Sequence, residues 1–202
     1  MMTPLRSLSA CGAAALGFLA AACDGPLRPH LSSTDAETAV AMARVNGAVA
    51  TPFKAAFFTG LAAPLAPHES CGDPPRLFNI QEGFGEATKL GRFSIRITFC
   101  IDATDILDDG RLTEGESLPY DNGAGTLIAA NGDELHITIS GAVLPSDHPD
   151  FDFEFMDPFQ ISGGSGRFEG ATGNGMTNSL VDFQAARTQH KWSGTLVLPR
   201  GK

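Results

Sequence analysis

The stretch Ile161–Gly175 reads Ile-Ser-Gly-Gly-Ser-Gly-Arg-Phe-Glu-Gly-Ala-Thr-Gly-Asn-Gly, and it limits the folds open to this chain more than any other segment. Glycine adopts positive φ and lets backbones approach closely, so this density suits tight corners between strands. A strand enters at Phe159–Ile161, and Gly163, Gly164 and Gly166 turn it. Arg167 and Phe168 follow, and Gly170 and Gly173 bend the chain again. The segment is read as the corner that closes a small barrel. A phosphate-binding loop is rejected, because no Gly-Lys-Ser/Thr is present and no helix follows to offer its N-terminus.

Strand patterns surround that corner. Phe93, Ile95, Ile97 and Phe99 alternate with Ser94, Arg96, Thr98 and Cys100, the cleanest period-two signal in the chain. Phe53–Thr59 reads as a first strand, and Leu77–Leu90 as a long one that Gly83 and Gly85 bend. Asn131-Gly132 is a strong two-residue hairpin turn between Gly125–Ala130 and Asp133–Gly141. Phe151, Phe153 and Phe155 alternate with polar neighbours, Pro158 interrupts, and Met176–Phe183 and Lys191–Leu198 supply the last strands. Asp102–Gly125 and Leu61–Pro75 read as loops. Short strands with turns between them, and no long amphipathic helix after Ala50, indicate an all-β barrel or sandwich.

Gly163-Gly164-Ser165-Gly166-Arg167-Phe168, then Gly170-Ala171-Thr172-Gly173, resembles the Gly-Gly-Thr-Gly-x-Phe corner of the allene oxide cyclase and dirigent β-barrel superfamily. The secreted bacterial branch of that group is the better likeness. Three further pieces fit it in the expected order: Pro52-Phe53-Lys54-Ala55-Ala56-Phe57, then Gly83 to Gly91, then Ala129-Ala130-Asn131-Gly132-Asp133. The resemblance covers most of Thr51–Pro199 and implies a single antiparallel eight-stranded barrel. It does not imply cyclase or dirigent activity, because one fold hosts unrelated functions.

The chain before Thr51 is read as address rather than fold. Met1–Ala22 carries one positive charge, Arg6, then an apolar run and Ala20-Ala21-Ala22, the anatomy of a secretory signal peptide. Cys23 follows directly, as in the bacterial lipoprotein cleavage box, although Ala20 stands where that box favours Leu. The expected division is residues 1–22 as signal peptide, 23–50 as a lipid-anchored flexible tether, and 51–199 as the barrel. An ordinary signal cut near Ala22 is the other reading of the same residues. The first reading places the protein in the bacterial cell envelope, attached to a membrane through acyl chains on Cys23.

Charge and cysteines narrow the partners. The formal charge is −9, and removing Arg6 with the signal leaves −10. Such a surface argues against nucleic acid and against polybasic docking to anionic lipid. Cys11 leaves with the signal and Cys23 is the lipidation candidate, so Cys71 and Cys100 remain and are expected to form a disulfide. No Cys-x-x-Cys supports zinc or thioredoxin-like chemistry, and no metal or cofactor is expected.

Few residues present themselves for chemistry. Asp105, Asp109, Gly110 and Glu116 fall in an EF-hand-like register, but Leu107 occupies a ligand position, and a solvated acidic loop is the plainer reading. Glu82 and Glu86 share a face of the long strand and suit acid–base work only if buried. No Gly-x-Ser-x-Gly elbow supports a serine hydrolase. His136 is the candidate polar anchor if its strand turns that face inward. His68, His148 and His190 are read as loop or strand-end residues.

The expected lumen is apolar, lined by Phe93, Ile95, Ile97, Phe99, Ile137, Phe153 and Phe155. Leu135, Ile139 and Phe151 face the same way, since exposing this set would leave a large apolar patch. Eight strands enclose packed side chains or one small ligand. Three functions follow: binding a small apolar molecule or an envelope partner, cyclase- or isomerase-like catalysis on a lipid-like substrate, or a filled structural module. The balance leans away from an enzyme. The volume and lining of any cavity decide among the three.

Overall fold

The computed structural model describes residues 48–107 and 111–199. The expected signal peptide, Cys23 and nearly all of the tether lie outside these residues. The strands are β1 (Val49–Leu61), β2 (Arg76–Ala87), β3 (Gly91–Asp102), β4 (Leu118–Ala129), β5 (Glu134–Pro145), β6 (Phe153–Phe155), β7 (Pro158–Gly164), β8 (Thr172–Met176), β9 (Ser179–Asp182) and β10 (Arg187–Leu198). All pairings are antiparallel, and β1 pairs both β2 and β10, so the sheet closes. β6 and β7 both pair β5, and β8 and β9 both pair β10. Each couple is one interrupted strand, so ten segments make an eight-stranded barrel.

The two interruptions face each other and are stitched through the backbone of Asp157. Asp157, between β6 and β7, donates its backbone N–H to Thr177 Oγ1 at 2.8 Å, between β8 and β9. The Asp157 carboxylate accepts Tyr120 O–H at 2.8 Å and Ala142 N–H at 3.4 Å. Gly141 leaves room for it, since a Cβ there would overlap the carboxylate. Burial, and the hydrogen bond to Asp157, push the Tyr120 hydroxyl well above its ordinary pKa, so it stays a donor.

One end of the barrel is closed by the β2–β3 and β4–β5 hairpins and by the glycine corner. The corner drives Phe168 into the lumen, where it is 0% exposed. Gly166 sits at φ +58°, and a Cβ there would strike Asp133. Arg167 clamps the end: Nη2 donates to Leu90 O at 3.3 Å, Nε lies 3.4 Å from Asp133 Oδ2, and the guanidinium covers the Phe168 ring at 4.8 Å. Gly163, Gly164, Gly170 and Gly173 flank this plug, Gly163, Gly170 and Gly173 with positive φ. Phe53, Leu127, Leu135, Phe159, Ile161 and Leu196 are buried in the same core cluster.

Several expected boundaries move. β1 begins at Val49 rather than Phe53, and β10 at Arg187 rather than Lys191. β4 begins at Leu118, inside the expected loop Asp102–Gly125. Its register with β5 slips between Tyr120 and Gly123 and that with β3 between Asp121 and Ala124, and Asn122 has φ +52°, so an extra residue bulges there. That bulge breaks the alternation that would have announced the strand. Phe151 precedes β6 in a loop, against His148, and is not part of a strand.

Candidate functional site

The other end of the barrel holds a cavity of about 240 Å³ that reaches the surface between the loops. Its walls are Leu77, Phe99, Ile101, Ile106, Leu118, Val143, Phe153, Phe155 and Val181, with Leu61, Leu65 and Phe183 at the rim. The three rim residues are exposed. A void of about 20 Å³ lies deeper, bordered by Ile97, Ile139, His190 and Trp192, and shares Gln81, Phe99, Val143 and Phe155 with the outer cavity.

Expected lining residues divide between the two ends. Phe99, Phe153 and Phe155 line the cavity, and Ile97 borders the deeper void. Phe93, Ile95 and Ile137 are buried but line neither; they belong to the packed core toward the closed end. His136 does not face the lumen. It alternates with the buried Leu135 and Ile137, so its side chain points outward, 42% exposed and 3.0 Å from Glu134. Glu82 and Glu86 are outside as well, and Glu82 pairs with Arg96 across the strand. Asp105 accepts Ser117 N–H at 3.1 Å, Glu116 accepts Thr113 N–H at 2.6 Å, and Asp109 and Gly110 lie outside the described residues. Among the described residues no group of three His, Cys, Asp or Glu is placed to hold a metal.

The disulfide Cys71–Cys100 is formed, with Cα atoms 5.3 Å apart. It ties the end of β3 to the loop that covers the outside of β2. In that loop Ala66 bridges Phe78, and the His68 ring stacks on Phe78 with centroids 4.6 Å apart. The same loop carries Leu65 to the rim, so the disulfide holds one wall of the mouth.

Polar groups that sequence reasoning missed gather where the lumen narrows below the cavity. β10 turns Thr188, His190 and Trp192 inward. His190 is 2% exposed, its ring stacked on Phe57 at 4.3 Å. Thr59 Oγ1 donates to Gln81 Oε1 at 2.6 Å, which spends its hydrogen. His190 Nε2, 2.9 Å from Thr59 Oγ1, is therefore the donor there. His190 Nδ1 then accepts the Ser179 hydroxyl at 2.9 Å, and Trp192 Nε1 donates to Ser179 Oγ at 3.4 Å. The hydrogen bonds run one way, from Trp192 through Ser179, His190 and Thr59 to Gln81. Burial pushes the His190 pKa down to about 3, so the ring is neutral at ordinary pH and serves as a fixed link rather than a proton carrier.

β2 contributes the polar groups nearest the cavity. Its inward positions are Leu77, Asn79, Gln81, Gly83 and Gly85. Gly83 and Gly85 have no freedom to be larger, since a Cβ would strike Phe58 or Phe57 of β1. Asn79 and Gln81 thus make the inward face of β2 polar next to the cavity. An apolar alternation would not reveal them; the signal available is polar residues in step with close-approach glycines.

No protein-family model matches the chain, and no curated protein matches it. Among solved structures, the chain is similar to the pterocarpan synthase dirigent protein GePTS1, at 12% sequence identity and a TM-score of 0.48. The match covers 79% of this chain and 96% of that one. At that identity and score nothing about activity passes from one protein to the other; the closed antiparallel barrel described above rests on the strand pairings themselves.

Proposed function

We propose that this protein is an exported barrel that binds a small apolar molecule in the mouth cavity and is held to a bacterial membrane through lipid on Cys23. The observation that carries the binding reading is the cavity wall: about 240 Å³ bounded mainly by Leu, Ile, Val and Phe, with a few polar groups at one side. Ligand sites have this character, a largely apolar concavity with sparse polar groups that fix orientation. The volume suits a small guest, above the roughly 150 Å³ that holds benzene and below the roughly 300 Å³ where drug-sized pockets begin. Catalysis has less support. Among the described residues the cavity's carboxylate is Asp182 at the rim, already accepting Ala185 N–H at 2.8 Å. The sequence motifs of the glycine corner and the β2–β3 hairpin support a place in the secreted bacterial branch of the allene oxide cyclase and dirigent group.

Titration with aminonaphthalene, a small fluorescent apolar probe, tests the binding reading. Saturable binding is expected, and Phe153→Asp should abolish it while the far-ultraviolet β-sheet spectrum is kept. A folded wild-type chain that does not bind the probe would sink the reading. For the address, Cys23→Ser should move the protein from the membrane fraction to the soluble one. A wild-type chain already soluble after export would remove the anchor.

A further inference from the structure

We infer that the guest is a neutral carbonyl compound, such as a ketone or an ester, whose oxygen accepts a hydrogen bond from the Thr188 hydroxyl. The inference rests on the proposed ligand-binding reading. Thr188 lines the cavity and is 4% exposed. Its hydroxyl makes no hydrogen bond to any described residue, yet it is not among the atoms sealed away from a water-sized neighbour. The small surface that Thr188 keeps therefore opens on the cavity. A hydrocarbon seated there would cover the hydroxyl and give it no partner, which is costly.

The neighbouring polar groups decide that the guest brings the acceptor. Gln81 and Asn79 line the same cavity from β2. Gln81 Oε1 faces Thr59 Oγ1, and Asn79 Oδ1 is sealed. The amide ends left open are the two NH2 groups, and neither has a partner among the described residues. Gln81 reaches the level of Thr188 through Thr59, the residue that pairs with Thr188 across β1 and β10. This wall thus offers N–H and O–H hydrogens and no open amide oxygen. A carbonyl oxygen has lone pairs and no hydrogen, whereas an alcohol or an amine would add hydrogens where they are already in surplus. Charge narrows the class further. A buried carboxylate needs a cation beside it. Among the described lining residues the cation is Arg187, which is exposed and holds its guanidinium over the Phe58 ring at 5.2 Å.

One pair of compounds isolates the oxygen. Methyl hexyl ketone and its methylene analogue, in which CH2 replaces the carbonyl oxygen, share one shape. The affinity of each for the full chain is read by displacement of bound aminonaphthalene. Thr188→Val keeps the outline of the side chain and removes the hydroxyl, so it should weaken the ketone about fivefold and leave the methylene analogue unchanged or tighter. Thr188→Ser keeps the hydroxyl and should hold the ketone close to its wild-type affinity. In the infrared, the C=O stretch of the bound ketone should lie below its frequency in hexane and move up in Thr188→Val. Without ligand, the urea midpoint of Thr188→Val should not fall, because the hydroxyl has no partner to lose. An undiminished ketone affinity in Thr188→Val, an equal loss for the methylene analogue, a bound C=O stretch equal to that in hexane, or a lower midpoint would each overturn the assignment while aminonaphthalene still binds. So would a wild-type chain that binds aminonaphthalene but not the ketone. Failure to bind any of the three compounds would overturn the assignment together with the binding reading.

Discussion

The two ends of this barrel are built from the same eight strands but solve opposite problems. At the closed end Phe168, Phe53, Phe159, Leu127, Leu135 and Leu196 fill the lumen with rings and branched chains. At the mouth end the lumen carries Asn79, Gln81, Thr59, Thr188 and His190 beside an unfilled volume. Burying polar groups gains little even when they are fully bonded, and one of them is not. The contrast separates tasks along the barrel axis: one end supplies stability, and the other keeps a concavity that a maximally stable barrel would have packed.

That separation can be broken by experiment. The largest effect is expected at the plug, where Phe168→Ala should cost about 3–5 kcal/mol in denaturant unfolding. Affinity for aminonaphthalene at the mouth should stay within twofold, and a folded variant that lost it would show that the ends are not independent. Replacing both Cys71 and Cys100 with Ser should cost about 2–4 kcal/mol. Here probe binding should weaken too, because the disulfide holds the loop that brings Leu65 to the rim. Unchanged binding would detach that loop from the mouth.

Over any single pH unit the smallest effect is that of pH itself. The His190 pKa of about 3 in the folded chain lies below its ordinary 6.5, so between those values the unfolded chain binds the extra proton. Stability should therefore fall as pH drops below about 6.5, by up to about 1.4 kcal/mol per unit, with no contribution above that pH. Urea midpoints of wild type and His190→Gln, compared at each pH, cancel the carboxylates common to both. Parallel pH profiles for the two chains would remove His190 as the source.

How legible this was from sequence depends on the strand. β3 is half of a simple rule: Phe93, Ile95 and Ile97 alternate with polar residues and are buried as that pattern demands. The glycine corner was equally readable, because positive φ and close packing leave a mark in residue type. β2 defeats the rule. Its outward face carries Phe78, Ile80 and Phe84, and its inward face Asn79, Gln81, Gly83 and Gly85. Hydrophobicity alone would turn it inside out; what decides is the close approach of β1, which tolerates only glycine, and the loop laid over Phe78. Phe84 stays 74% exposed as the consequence. His190 was hidden for another reason. A histidine at a strand end and one in a strand interior look alike until the strand is known to start at Arg187, and its partners Thr59 and Ser179 come from β1 and β9. His136 could be placed only once the buried Leu135 and Ile137 showed which face of β5 points inward.

The direction of β1 has a practical consequence. Val49 pairs Leu198 at the plugged end, and the thirteen residues of β1 run from there to the rim. A surface that held the chain at that end of β1 would therefore see the opening turned away from it, about 30 Å along the axis once the tilt of barrel strands is allowed for. A guest bound as proposed would then meet the surrounding fluid rather than that surface.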